Sequence, residues 1–200
     1  PQGSRSLRKK GLLEAVKAAA STHSDRRIAL WFMDEARFGQ KGRTTHRWRI
    51  KGERPPGLCD KRFDSAYIFA AVRPSTGEDF ALVLPWVSSA AMSALLAGYA
   101  KTVPSDTHVV MVLDRAGWHG AKDLVVPDCL TLVPLPSYSP ELNPVERIWL
   151  YLRERYLSHR WLADYEAVVD ACCHAWNALV ADKGRIQSLT SYSYLNGVTS

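Results

Sequence analysis

Pro136-Ser137-Tyr138-Ser139-Pro140-Glu141-Leu142-Asn143-Pro144-Val145-Glu146-Arg147-Ile148-Trp149 is a stiff, proline-punctuated loop that turns into a helix. Asn143 is a good N-cap and Pro144 suits the first helical position, so the spacing predicts a helix from there to about residue 157. Glu146 then falls in its opening turn. Two upstream apolar runs, residues 28–34 and 108–114, each end in an aspartate, Asp34 and Asp114. The first run is short, β-rich and apolar on both faces and the second holds a continuous apolar stretch, as expected for strands buried on both faces.

The other elements follow outward from these three. Residues 7–20 read as a helix, basic at its start and apolar later. Gly39 and Gly42 mark a turn, and residues 44–50 alternate polar and apolar as a strand does. Residues 66–72 form a further apolar strand and residues 80–84 a short one. Ser88 or Ser89 caps a helix to about Lys101. Residues 119–124 suit a short helix, 130–134 a strand, and 164–180 a helix with an Asp cap. Strands in an unbroken run are most simply an antiparallel meander, whereas a strand after a crossover helix is most simply parallel to its neighbour. The expected fold is therefore α/β: a ribonuclease-H-like mixed five-stranded sheet flanked by helices. A doubly wound parallel sheet fits less well, because no helices separate the first strands. The expected organisation is a basic helical segment at 1–24, a catalytic domain at 25–183 and a tail at 184–200.

Two strand-end aspartates and a glutamate early on a later helix form a set suited to phosphodiester chemistry. In-line displacement needs charge stabilisation at both the attacking and the leaving oxygen, which two divalent ions held by a few carboxylates can give. Magnesium takes hard oxygen ligands and keeps several waters, so three protein carboxylates suffice. Each residue also has an ordinary use: a strand-end Asp forms turns, and Glu146 three residues after Asn143 fits a capping box. Their joint order at the ends of these elements favours the catalytic reading. Around them, His119 either meets a scissile phosphate or metal-bound water, or caps a short helix. Arg115 meets phosphate or, in the favoured reading, pairs with a carboxylate. Asn143 acts mainly as the cap. Glu35, adjacent to Asp34, is expected on the opposite face of its strand, outside the centre. Trp149 and Tyr151 are expected in the core and at its rim.

Hydrophobic content of 46% over 200 residues suits one domain with a real core. No run is long enough to span a membrane. The four cysteines, Cys59, Cys129, Cys172 and Cys173, include no CxxC pair, which argues against a zinc site and for buried free thiols. The net charge of +6 is unevenly spread: residues 1–62 hold 16 Lys/Arg against 6 Asp/Glu, and residues 63–200 hold 10 against 14. Lys41, Arg43, Arg47, Arg49, Lys51 and Arg54, with Trp48 among them, form an arm suited to nucleic acid.

The segments Phe32-Met33-Asp34-Glu35, Leu113-Asp114-Arg115-Ala116-Gly117-Trp118-His119 and Tyr138 to Glu146 with Trp149 resemble the catalytic core of DDE transposases, in particular the bacterial insertion-sequence branch of the mariner superfamily. The resemblance covers roughly residues 25–160. It implies two Mg²⁺ or Mn²⁺ ions on Asp34, Asp114 and Glu146, and cleavage at transposon ends by metal-activated water. Transfer of the freed 3′-hydroxyl to target DNA, self-association on double-stranded DNA and a bacterial cytoplasmic, nucleoid-associated location are implied as well. Such enzymes carry an N-terminal helix-turn-helix region, for which this chain has no room, and the Asp114–Glu146 spacing is slightly short of the usual one. The alternatives are an inactive, DNA-binding transposase remnant or another ribonuclease-H-like nuclease.

Overall fold

The computed structural model describes residues 2–40, 51–52, 63–158 and 160–195, with the side chains of residues 2–5 left out. Five strands form one sheet: β1 (Arg27–Gly39), β2 (Ser65–Arg73), β3 (Glu78–Leu84), β4 (Thr107–Leu113) and β5 (Leu130–Pro134), in the order β3-β2-β1-β4-β5. The β1-β2-β3 part is an antiparallel meander, while β4 and β5 run parallel to β1. The mixed sheet expected from the sequence is present, but residues 44–50, read as a strand, lie outside the described residues.

Among the described residues five α-helices cover the sheet: α1 (Gln2–Ser21), α2 (Ser89–Ala100), α3 (Val145–Leu152), α4 (Tyr165–Ala181) and α5 (Arg185–Thr190). Their starts follow the sequence where a cap is present. Ser88 accepts a hydrogen bond from the Ala91 N–H at 3.0 Å, and Asp164 one from the Ala167 N–H at 2.9 Å. The strand period of two divides the core. Leu30, Phe32, Ala36 and Phe38 of β1 join one cluster with α1, α3 and α4, whereas Ala29, Trp31 and Met33 join a second with α2. Leu12 and Val16 seat α1 in the first cluster, so this part of the 1–24 segment packs on the sheet. No helix among the described residues is long and apolar enough to cross a membrane. Cys172 is buried as expected, but Cys173 is exposed on the outer face of α4.

Three differences from the sequence reading matter for the site. First, β1 does not stop at Asp34 but continues to Gly39, because Ala36 and Phe38 keep the alternation going beyond the two charged residues. Gly39 is therefore a strand residue paired with Ser65, not a turn. Second, α3 ends at Leu152 and is followed by a π-helical turn, Arg153–Leu157. Third, the short helix read at residues 119–124 is a single 3₁₀ turn at Gly117–Gly120.

The last β1 residue paired with β4 is Phe32, opposite Val112, while the pairing of β1 with β2 runs on to Gly39. A step in the sheet results. Asp34 lies two residues beyond the last pair on β1, and Asp114 lies two beyond it on the β4 chain. The step is open on the β4 side of β1, and the 136–149 segment reaches into it.

Two glycines give opposite expectations for stability. A Cβ on Gly39 would sit 2.5 Å from the Asp64 carbonyl oxygen, whereas one on Gly11, inside α1, meets nothing within 4 Å. Gly39→Ala is expected to cost about 1–3 kcal/mol in denaturant unfolding through overpacking. Gly11→Ala should add roughly 0.5–1 kcal/mol through helix propensity.

Candidate active site

Asp34 faces the α3 side of the sheet and is 8% exposed. The Trp149 indole N–H donates to its Oδ2 at 2.7 Å. Burial pushes the Asp34 carboxyl up to about 8; the Trp149 hydrogen bond opposes this, and the negative charges of Glu146, Glu35 and Asp114 add to it. Those charges bring the three expected carboxylates, and Glu35 with them, into one electrostatic neighbourhood.

Asp114 follows the end of β4 and accepts the Ala116 N–H at 2.9 Å. His119 Nδ1 lies 2.8 Å from Asp114 Oδ1, and this hydrogen bond is the main reason the Asp114 carboxyl is held below the usual carboxylate range. The His119 ring is buried, and its other nitrogen, Nε2, faces Glu35 Oε2 at 3.4 Å. Burial disfavours charge on His119, but the hydrogen bond to Asp114 and the neighbouring Glu35 carboxylate outweigh it and push the imidazole up to about 9. The Glu35 contact is too long for a well-formed hydrogen bond, so Glu35 Oε2 and His119 Nε2 are buried without a hydrogen-bond partner.

Glu146 sits in the first turn of α3, as expected. One side of it reaches solvent, yet desolvation of its carboxyl raises the pKa, with Arg153 pulling it down and Asp114 pushing it up. The Arg153 guanidinium lies 5.3 Å over the Phe38 ring. Asn143 caps α3 through Oδ1, which accepts the Val145 N–H at 3.2 Å, and its Nδ2 donates to the Met33 carbonyl at 3.1 Å. The cap therefore also ties the helix start to the β1 residue before Asp34. Further back, the motif loop is fastened by Arg8 of α1, which donates to the Tyr138 carbonyl at 2.7 Å, and by the Tyr194 hydroxyl, which donates to the Leu142 carbonyl.

The tightest potential ligand set among the described residues is not the expected trio. Glu35, Asp114 and His119 offer ligand atoms within 4.8 Å of one another, while Asp34 is engaged by Trp149. The donor set fits a hard divalent cation: several carboxylates crowd one step, one of them is held far from its usual pKa by burial, and Glu35 Oε2 is left without a partner.

Arg115 departs from expectation, since its Nε–H goes to the Leu135 carbonyl at 2.8 Å, bracing the end of β4 against β5 instead of pairing with a carboxylate. Of the basic arm, only Lys51 is described, exposed in a turn; Lys41, Arg43, Arg47, Arg49 and Arg54 lie outside the described residues. Sequence reasoning missed two members of the site. Glu35 does point to the opposite face, but His119 waits there and links it to Asp114. Trp149 is core, at 1% exposure, yet its polar edge reaches Asp34. Its place three residues after Glu146, one turn along the same helix, was the available signal.

Residues 29–169 match the model of the DDE superfamily endonuclease family. The chain belongs to the DDE superfamily endonucleases. It is 47% identical over 124 residues to the uncharacterised protein y4pE/y4sA of Sinorhizobium fredii, covering 62% of this chain and 92% of that one. The DDE fold is also seen in solved structures. The Mos1 mariner paired-end complex with Mn matches with a TM-score of 0.61 and 17% identity, over 92% of this chain and 57% of that one. The Mos1 transposase paired-end complex with left transposon end matches with a TM-score of 0.58 and 18% identity, over 96% and 57%. The chain thus spans 57% of the Mos1 chains it resembles.

The shifted groups set a pH dependence. His119 rises from 6.5 to about 9 and Asp34 from 3.8 to about 8. A group whose pKa is raised on folding contributes stability below its unfolded value and loses that contribution as pH climbs through the folded value. Both shifts therefore act in the same direction. Melting in the presence of a chelator is expected to fall by at least about 4 °C between pH 6.5 and pH 9. Asp34→Asn, which removes the buried charge, should melt above wild type at pH 8.5; a lower melting point would contradict the raised carboxyl.

Proposed function

We propose that this chain is the catalytic domain of a transposase that cuts DNA strands and joins them to a target with the help of divalent metal ions. The observation that carries this reading is the convergence of Asp34, Asp114 and Glu146 on the step where β4 ends and β1 continues, within the fold of DDE endonucleases. In this reading the three carboxylates hold two Mg²⁺ or Mn²⁺ ions. Bound there, the ions supply the charge stabilisation that the attacking and departing oxygens of a phosphodiester need.

The chain's own residues do the rest. His119 holds Asp114 by hydrogen bonding and keeps a positive charge in the site at neutral pH, offsetting the crowded carboxylates. Arg153 places a second positive charge near Glu146, on the side that reaches solvent. Asn143 and Trp149 fix the helix bearing Glu146 against β1. The substrates are double-stranded transposon ends and target DNA, held in part by the basic arm at residues 41–54, and the domain works as part of an assembly on two ends. Mos1, which shares the fold, is captured in a paired-end complex with a transposon end.

Asp34→Asn, Asp114→Asn and Glu146→Gln should each lower Mn²⁺-dependent nicking of duplex DNA by at least about 100-fold while leaving circular dichroism unchanged. Cleavage retained in any one of them removes that residue from the ligand set, and metal-independent cleavage by wild type rejects the reading. Replacing Arg43, Arg47 and Arg49 with Gln should weaken DNA binding for all sequences alike. It should also reduce the slope of log K against log salt by up to about three; an unchanged slope would make this arm ordinary surface.

A further inference from the structure

Trp149 stands out among the residues around the carboxylates because it is wholly apolar in its packing and wholly polar in its one hydrogen bond. Its ring is 1% exposed and wedged between two others, edge-on to Phe38 at 6.2 Å and tilted against Trp176 at 6.1 Å. Packed on both sides, the indole cannot swing to follow a moving partner. Its N–H must find an acceptor when buried, and any backbone carbonyl would serve. The acceptor is Asp34 Oδ2 at 2.7 Å.

The same helix grips β1 a second time. Asn143, just before α3, donates to the carbonyl of Met33, the residue preceding Asp34. One contact fixes the β1 backbone and the next fixes the carboxyl that follows. Glu146 lies between these two anchors in the chain. The spacing between Asp34 and Glu146 is therefore set by half a dozen residues of capped helix and a locked ring, before any cation arrives.

We propose that Trp149 is a positioning residue of the acidic centre: its indole N–H holds Oδ2 of Asp34 and leaves Oδ1 as the oxygen for a divalent cation. Ligands that are themselves hydrogen-bonded bind metal more tightly than free ones, because orientation is settled in advance. The inference rests on the reading that Asp34 is a metal ligand.

The test is Mn²⁺ binding by calorimetry on the full chain, comparing wild type, Trp149→Phe, Asp34→Asn and a protein carrying 3-benzothienylalanine at position 149. That last residue keeps the two-ring shape of tryptophan and replaces the N–H with sulfur, so it stays informative if the smaller phenylalanine leaves a cavity that unfolds the protein. The expected result is a dissociation constant raised roughly 10–100-fold by both changes at position 149, with the melting temperature of the sulfur variant close to wild type. Wild-type affinity in the sulfur variant would overturn the proposal, whatever Trp149→Phe does, since it would leave Trp149 a packing role only. Binding by wild type that Asp34→Asn does not weaken, or no binding by wild type, would instead reject the metal-ligand reading of Asp34, and this proposal with it.

Discussion

Carboxylates brought together in a protein repel one another and resist losing their water, and this site is arranged around holding four of them at one step of a sheet. The fold provides rigidity where the repulsion would otherwise push the groups apart. β1 is paired with β4 from Arg27 to Phe32 and with β2 from Phe32 to Gly39. The α3 helix is fastened to it by Asn143 and Trp149. Opposite charges then offset part of the crowding, His119 for Asp114 and Glu35, Arg153 for Glu146. What remains uncompensated is Asp34, buried and facing three like charges. A domain that keeps such a group carries a cost in stability at that place, as many active sites do.

The two faces of β1 divide the work. The face toward α3 holds Asp34 among Phe32, Ala36 and Phe38, in the larger core cluster. The other face carries Glu35 to the buried ring of His119 beside the 3₁₀ turn. Adjacent residues in a strand thus reach two separate packed environments, and Asp114, past the end of β4, hydrogen-bonds His119 in one and adds its charge to the surroundings of Asp34 in the other. This alternation explains why a Glu next to an Asp is not redundant here.

Much of this was legible in the sequence because the signals were local. Ser88 and Asp164 cap where a hydroxyl or carboxylate should, and β4, with its apolar run from Val109 to Leu113, is buried at every position. The order of elements was enough for the mixed sheet, because a meander needs no crossover and a helix between strands does. Less legible were features decided by partners distant in sequence. The extension of β1 past Asp34 depends on pairing with β2, whose residues lie about thirty positions further on. The bond between Trp149 and Asp34 spans 115 residues and follows from no periodicity. Arg115 was read by its charge, but its position at the β4 end gave it a backbone carbonyl first.

The π-helical turn at Arg153–Leu157 gives the end of α3 a kind of slack. Such a turn amounts to one residue more than an α-helix needs, so it marks where chain length can change without changing phase. Loss of one residue there leaves an ordinary helical turn, and everything before it keeps its bearing. Loss of one residue between Val145 and Trp149 would instead rotate the ring by about 100° away from β1. The segment that carries Glu146 and Trp149 is therefore intolerant of length changes, and the segment just after it is the natural place for relatives of this chain to gain or lose a residue.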